Sequence, residues 1–321
     1  MFGFGKKKGP KEVSLNSDQF KFEVEPEQNV LDAALKAGVA FPHDCRVGSC
    51  GSCACKLTSG KIKATADFSY VLDGEQIKDG MILACQSRAK TPLSIDVEID
   101  SDAKASATKS YAGVVNKVTP LTHDIMELTI GVDGLEHNGA AGQYSELMVK
   151  QVGTSRSYSF AKAPQNENPN ELSFFIRNVP KGRFSKWLFD KDPTGQKLEV
   201  KTPFGSFYYR DGKGPMVCIA GGSGMSAVKA VLEQAAIDQV ERDAIYLFGA
   251  RTQEDIYSKP ELEAIQKKWN PNFKFEFVYV LNMEPEESDW TGPRGMVTDF
   301  LKSDYIETVS YTHLRAHETV D

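Results

Sequence analysis

In Phe20-Lys-Phe22-Glu-Val24, apolar and polar residues alternate strictly. That is the period of a strand, whose successive side chains point to opposite faces. Val13-Ser-Leu15 precedes it across the polar Asn16-Ser17-Asp18, so the two form a short hairpin. Val30, Leu31, Ala34, Leu35 and Ala37 recur at helical spacing, and Gly38 stands where a C-cap glycine ends a helix. After a cysteine-bearing loop come a strand at Cys55-Lys-Leu57, a turn at Ser59–Gly60 and a closing strand from Leu93 to Ile99. Together these predict one small domain, near the lower size limit for independent folding.

Ser101 to Ser110 (SDAKASATKS) carries no large apolar residue and reads as a linker. From Tyr111 to about Tyr209 the chain shows short strands between turn signals: Gly113 to Val118, Ile125 to Ile130, Gln143 to Val149, Leu172 to Asn178 and Lys197 to Lys201. Such a run predicts a small antiparallel barrel or sandwich. Beyond Pro215 the texture changes to strand, glycine loop, helix, strand, helix, strand: Met216 to Ala220, Gly224 to Ile237, Ala244 to Phe248, Pro260 to Trp269 and Phe273 to Val280. Alternating strands and helices require a parallel sheet with right-handed crossovers. The expected domains are therefore residues 12–100, 111–210 and 211–308, with a tail at 1–11, the linker at 101–110 and a final segment at 309–321.

Composition narrows the class. Among 321 residues, 40% are apolar and 26% charged, a soluble globular balance. The net charge of −6 argues against a nucleic-acid partner, which a basic excess would mark. No apolar run approaches the roughly 18 residues of a membrane span, and Met1 to Lys11 is no secretory signal. Phe2 and Phe4 beside Lys6, Lys7 and Lys8 allow at most a weak contact with an anionic membrane; the plainer reading is a disordered tail. Six cysteines without a signal peptide imply a reducing, cytoplasmic setting, where clustered thiols bind metal more often than they form disulfides.

Three of those thiols are spaced C-x4-C-x2-C, at Cys45, Cys50 and Cys53, and Cys85 follows downstream. This is the plant-type [2Fe–2S] spacing. Each iron takes four sulfurs, two of them bridging sulfides, so the cluster needs four thiolates. Gly48 and Gly51 let the loop wrap closely, and backbone N–H groups there can stabilise the added electron. A zinc site would want paired C-x2-C knuckles, and a Rieske centre a second histidine besides His43. A disulfide framework conflicts with the compartment. Cys55, in a strand start, and Cys218, inside Met216 to Ala220, read as core residues.

Arg156-Ser-Tyr158-Ser159 follows a barrel strand. An arginine suits a flavin phosphate. A tyrosine suits stacking on the isoalloxazine ring, and the next hydroxyl can bond the ring edge. The tetrapeptide alone is weak, since most such strings are ordinary strand residues. Gly182-Arg-Phe184-Ser185 opens a helix whose amides suit a pyrophosphate, though a plain capped helix reads the same way. Gly221-Gly222-Ser223-Gly224 follows a buried strand and opens a helix, with Gly222, Gly224 and Ala227 fitting G-x-G-x-x-A. That is the context a dinucleotide fingerprint requires. The acidic residue expected at the end of the second strand is absent, since Gly249-Ala250-Arg251 follows Phe248. The ribose must be held differently.

In this order the motifs resemble the reductase components of bacterial multicomponent oxygenases, nearest to the xylene-monooxygenase branch of that family. The stretches that carry the likeness are Phe41-Pro-His-Asp-Cys45-Arg-Val-Gly-Ser-Cys50-Gly-Ser-Cys53, Arg156-Ser-Tyr-Ser-Phe160, Met216-Val-Cys-Ile-Ala-Gly-Gly-Ser-Gly224, Phe248-Gly-Ala-Arg251 and Arg294-Gly-Met-Val-Thr298. The resemblance covers about residues 13 to 308. It implies a multidomain α+β and α/β chain: a β-grasp ferredoxin, an antiparallel β-barrel flavin domain and a parallel-sheet nicotinamide domain. It implies FAD at Arg156, Tyr158 and Ser159, with Gly182 and Ser185 near the pyrophosphate and Pro203-Phe204-Gly205 as a turn near the cofactor. It implies NADH at Gly221, Gly222 and Gly224; Arg251 lies where a 2′-phosphate could sit, which leaves NADPH open.

The implied reaction runs from NADH to FAD to the cluster and on to an oxygenase or hydroxylase acting on aromatic or alkyl hydrocarbons. The flavin is needed because nicotinamide moves two electrons together and the cluster one. No acid–base residue is called for; Tyr158 and Ser159 only contact the flavin. The rim from Arg46 to Ser49 is the expected docking face. Rival readings are a free-standing flavin reductase, a reductase of a sugar-deoxygenating system, and a non-catalytic redox carrier or sensor.

Val309 to Thr319 (VSYTHLRAHET) resembles a translated sequencing adapter and nothing in this family. The family pattern would continue into another buried strand, a Cys-Gly-Pro-Pro loop, a helix and a last strand. The expectation is thus a C-terminally truncated nicotinamide sheet with an open edge. Such a chain would be poorly soluble or inactive with NADH, while its first hundred residues fold alone.

Overall fold

The computed structural model describes residues 9–99, 108–136, 139–164, 168–210 and 212–301. The N-terminal Phe2–Lys8 stretch, most of the expected linker and the whole of Val309 to Thr319 lie outside these. The chain divides into two units, with the boundary between residues 107 and 108.

The first unit is a β-grasp domain. Strands β1 (Lys11–Leu15) and β2 (Phe20–Val24) form the expected hairpin. Its turn takes positive φ at Asn16, Ser17 and Asp18. Helix α1 (Val30–Lys36) is capped by Asn29, whose side chain accepts from Asp32 N at 2.7 Å, and Gly38 beyond it has φ 79°. Strands β3 (Ala54–Ser59), β4 (Ile62–Ala64), β5 (Met81–Leu83), β6 (Ser87–Ala89) and β7 (Leu93–Asp96) complete the unit, and a short helix α2 (Gly74–Lys78) precedes β5. The main sheet runs β2-β1-β7-β3-β5, with β1 and β7 parallel, and β4 pairs with β6 apart from it. The closing strand stops at Asp96, short of Ile99. Val97 gives its N–H to Asn16 Oδ1 (2.8 Å) and its carbonyl takes Asn16 Nδ2 (2.9 Å), so a side-chain amide replaces the ladder. Val13, Leu15, Leu31, Phe41, Leu83 and Ile95 fill the core between sheet and α1.

The second unit opens with six antiparallel strands: β8 (Lys109–Pro120), β9 (Ile125–Val132), β10 (Tyr144–Met148), β11 (Ser155–Ser159), β12 (Glu171–Arg177) and β13 (Lys197–Phe204). Their order is β11-β10-β13-β8-β9-β12. An antiparallel bridge from Phe160 to Phe174 joins the two ends, so the sheet curls nearly into a barrel around Leu128, Ile130, Leu147, Phe174 and Val200. Strand β13 runs past the expected Lys201 because Thr202 still pairs with Lys109, and Phe204 with Tyr144. Helix α3 (Arg183–Asp190) plugs one end with Phe184 and Leu188.

Strands β14 (Met216–Gly221), β15 (Ala244–Ala250) and β16 (Phe275–Leu281) are parallel, in that order, the three-stranded sheet among the described residues. Helices α4 (Met225–Ile237) and α5 (Lys259–Lys268) are the crossovers. A single core of Tyr246, Phe248, Met225, Leu232 and Leu262 also takes in Ala161 and Phe175 of the barrel. Among the described residues no helix is long and apolar enough to cross a membrane.

Candidate functional site

The cysteine loop is shaped by left-handed backbone at Arg46 (φ 57°), Gly48 (φ 81°) and Gly51 (φ 82°). A Cβ on Gly48 would stand 2.7 Å from Gln86 Cγ, so only glycine lets the loop lie against the turn that carries Cys85. Cys53 lies at the mouth of β3, and Cys85 in the single 3-10 turn between β5 and β6. Cys45, Cys53 and Cys85 are buried and Cys50 half-buried, and none is in a disulfide. Ser49 N–H donates to Cys45 Sγ (3.3 Å) and Ser52 N–H to Cys50 Sγ (3.4 Å), the amide-to-sulfur contacts the loop was expected to supply. The thiols are hydrogen-bonded in two pairs. A hydrogen bond from Cys45 lowers the Cys50 thiol, and one from Cys85 lowers Cys53; the donors are raised in return. Two thiol pairs, the first with amide donors, fit the two irons of a [2Fe–2S] cluster, each of which takes two thiolates.

Cys55 points away, its Sγ reaching Ile82 O (3.8 Å) inside the core, and burial pushes its thiol up. His43 is buried with Nδ1 on Phe41 O (2.8 Å). Of the rim, Val47 is 60% exposed and Ser49 exposed, while Arg46 is tied to Asp32 (2.6 Å).

In the second unit, β11 is an end strand of its sheet and carries Arg156, Tyr158 and Ser159, all half-buried. Tyr158 stacks at a tilt on Phe184 of α3 (5.0 Å between centroids), so the flavin strand meets the start of that helix. Gly182 is the N-cap there, and no side chain caps the helix, which leaves its amide end suited to a pyrophosphate. Arg156 Nη1 donates to Thr154 Oγ1 (2.6 Å) and Ser155 O (3.0 Å). The Ser185 hydroxyl is turned inward, donating to Gly182 O (3.2 Å), so only its backbone amide belongs to the helix start. Pro203 and Gly205 lie two strands away, beyond β10, where Tyr144 pairs with both Ser159 and Phe204.

The glycine loop lies at the carboxyl end of β14. Gly221 passes so close to β15 that a Cβ there would stand 3.2 Å from Gly249 O, and Gly222 has φ 52°. Tyr257 fixes the loop by donating to Gly222 O (2.7 Å). Gly221 and Gly222 line a cleft of about 230 Å³ with Arg251, Asp255, Asn282 and Val297; Gly224 instead begins α4 and does not line it. The cleft opens where the strands of a doubly wound sheet end, the usual place of a dinucleotide. Barrel residues Asp124 and Arg177 line it too. They were not singled out in the sequence, because nothing in the turn between β8 and β9, which carries Asp124, or at the end of β12, which carries Arg177, marks either as facing a cleft. Arg294 serves the shape alone, holding the 284–290 loop through the carbonyls of Glu284 (2.8 Å), Pro285 (2.9 Å) and Trp290 (3.2 Å).

Family models agree with this division. Residues 13–90 match a 2Fe-2S iron-sulfur cluster binding domain, 112–209 an oxidoreductase FAD-binding domain and 218–317 an oxidoreductase NAD-binding domain. The electron transfer component of xylene/toluene monooxygenase from Pseudomonas putida is 39% identical over 290 residues, which are 90% of this chain and 81% of that relative. The chain belongs to the family of ferredoxin-fused flavin reductases. It is therefore an oxidoreductase whose redox groups are a [2Fe–2S] cluster, FAD and a nicotinamide dinucleotide. Reductase component 1 of terephthalate 1,2-dioxygenase from a Comamonas species is 32% identical, covering 82% of this chain and 77% of that one. Among solved structures, the Amycolatopsis cytochrome P450 reductase GcoB matches with a TM-score of 0.75 at 28% identity, over 95% of this chain and 88% of that one. The ferredoxin reductase in carbazole 1,9a-dioxygenase matches at 0.67 and 27%, over 90% and 84%.

Proposed function

We propose that this reductase takes electrons from NADH and delivers them, one at a time, to the oxygenase component of a system that oxidises aromatic or alkyl hydrocarbons. The observation that carries the reading is the union, in one chain, of a complete four-cysteine loop with a flavin strand and a dinucleotide cleft. Bound there, the nicotinamide would supply a hydride, the flavin would turn a two-electron donor into single electrons, and the cluster would pass them on singly, at potentials of roughly −400 mV for plant-type centres. The protein's own residues bind and orient. Cys45, Cys50, Cys53 and Cys85 would hold the cluster. Arg156, Tyr158, Ser159 and the amides from Gly182 would hold the flavin, with Pro203 and Gly205 shaping the nearby turn. Gly221 and Gly222 would admit the dinucleotide phosphates. No side chain is required to move a proton.

The surface from Arg46 to Ser49, with Val47 outermost, is where the oxygenase would dock. The relatives named above serve monooxygenases and dioxygenases by their own descriptions, which favours an oxygenase over a sugar-deoxygenating partner. Six free thiols favour the cytoplasm as the place of work.

Cys50→Ser separates the relay from its parts. Steady NADH oxidation with ferricyanide, which accepts electrons from the flavin, should persist in the variant. Reduction of a one-electron protein acceptor should fall by at least about a hundredfold, a loss of roughly 2.7 kcal/mol of transition-state stabilisation. Equal loss of both activities would contradict the order of stations. No NADH oxidation by the unaltered chain would remove the NADH-fed relay and leave either the inactive nicotinamide sheet expected from the sequence or a carrier or sensor.

A further inference from the structure

The outer wall of the cleft holds an ion network that the relay does not use. Arg251, directly after β15, donates from Nη2 to Asp255 Oδ1 (2.7 Å) and Asp124 Oδ2 (3.0 Å), and from Nε to Asp255 Oδ2 (3.1 Å). Asp124 comes from the barrel turn between β8 and β9 and also accepts from Arg177 Nε (3.0 Å). His123 stands 3.7 Å from Asp255 and 4.0 Å from Asp124. The side chains of His123, Asp124 and Asp255 come near enough to suggest a cation site. Two guanidinium groups already supply the positive charge there, and two carboxylates balance two arginines.

At the end of the second strand, a carboxylate accepts from a ribose 2′-hydroxyl, whereas an arginine receives a 2′-phosphate. Here both kinds of group are present. Arg251 occupies the position that would accept a phosphate, but its Nε and Nη2 donors are taken by carboxylates from two different elements, and among the described residues only Nη1 keeps free donors. A 2′-phosphate, with about −1.5 to −2 charges, would find only Nη1 free on a guanidinium already neutralised by Asp124 and Asp255, and would lie against both carboxylates. A plain ribose meets carboxylate oxygens able to accept from its hydroxyls. Burial works against ionisation of both aspartates, but hydrogen bonds from Arg177 and Arg251 outweigh it and hold both below the ordinary value of 3.8. Both charges are therefore present at neutral pH.

We propose that Asp124 and Asp255 select NADH over NADPH by neutralising Arg251 and holding its Nε and Nη2 donors, so that Arg251 becomes an effective phosphate receptor only when a carboxylate is removed. The inference rests on the reading of this cleft as the dinucleotide site. Its test is the binding of adenosine 5′-monophosphate and of adenosine 2′,5′-bisphosphate to the full chain by calorimetry, which needs no turnover. In Asp124→Asn the affinity ratio of bisphosphate to monophosphate should rise by about tenfold, or roughly 1.4 kcal/mol. Adding Arg251→Ala should abolish the gain, and the NADPH-to-NADH ratio of kcat/KM should move in parallel. Asp255→Asn is the second variant, needed because Asp255 also accepts from Thr252 N (3.1 Å) and shapes its own turn. An unchanged ratio in both aspartate variants, or a gain that survives Arg251→Ala, would overturn the inference. Failure of the monophosphate itself to bind would instead remove the reading of the cleft, and the inference with it.

Discussion

Gly48 concentrates the demands of the cysteine loop in one position. Its φ of 81° is strained for any side chain, and a Cβ would meet Gln86 Cγ at 2.7 Å. The left-handed backbone alone costs about 1–2 kcal/mol in a residue with a Cβ. Gln86 would also have to withdraw, and with it the turn that presents Cys85. Gly48→Ala should therefore lower iron bound per chain to well under that of the unaltered protein, with FAD per chain unchanged, as metal and flavin analysis of the same preparation would show. Equal iron content would mean the loop tolerates a wider path. The cysteines and the two glycines were legible from spacing, because cluster geometry dictates them. The thiol of Cys55 was legible as core from its place at the start of a strand, and its contact with Ile82 agrees. Asp124 and Asp255 were not legible, because a carboxylate far along the chain carries no sign of the arginine it will meet. The missing acidic residue after β15 could be read, but not what replaces it.

Helix α4 links the two halves of the flavin and nicotinamide unit. Its start carries the glycine loop, and its middle grips the chain just past the flavin strand. Lys229, almost wholly buried, donates to Ala161 O (3.0 Å), and Glu233 accepts from Ala163 N (2.9 Å). The Lys229 ammonium also lies 6.0 Å from the centre of the Phe175 ring. Desolvation lowers the Lys229 ammonium, while the carboxylate of Glu233 opposes the shift. Lys229→Ala would leave a cavity and an unsatisfied buried carbonyl, together about 2–4 kcal/mol. The thermal midpoint of flavin release should drop by about 5–10 °C for a unit of this size; no shift would show the contact to be incidental. Helix α4 itself was plain from the glycine loop and apolar periodicity, since both are local. Its grip on the barrel was not, for Lys229 looks like any helical lysine until the strand it touches is placed. Strand ends were the least legible feature: β7 stops where Asn16 takes over its partners, and β13 continues because its neighbours do. Helix α2, with its Asp73 and Gln76 capping box, is too short to leave an apolar stripe, and so went unseen.

The whole chain joins a one-electron domain to a two-electron module. The order of its motifs along the sequence, cluster first and dinucleotide last, reverses the order in which electrons would travel. Chain order therefore says nothing of direction, and the chemistry must: among the described residues the dinucleotide cleft suits a soluble two-electron donor, and the cysteine loop has an exposed rim from which single electrons could leave. The most direct test is anaerobic addition of NADH to protein loaded with iron, sulfide and FAD, followed by EPR. The account predicts that flavin absorbance bleaches and that the signal of a reduced [2Fe–2S] cluster then appears, without any added mediator. Bleaching of the flavin with no cluster signal, or a cluster signal that appears only with an external reductant, would contradict it.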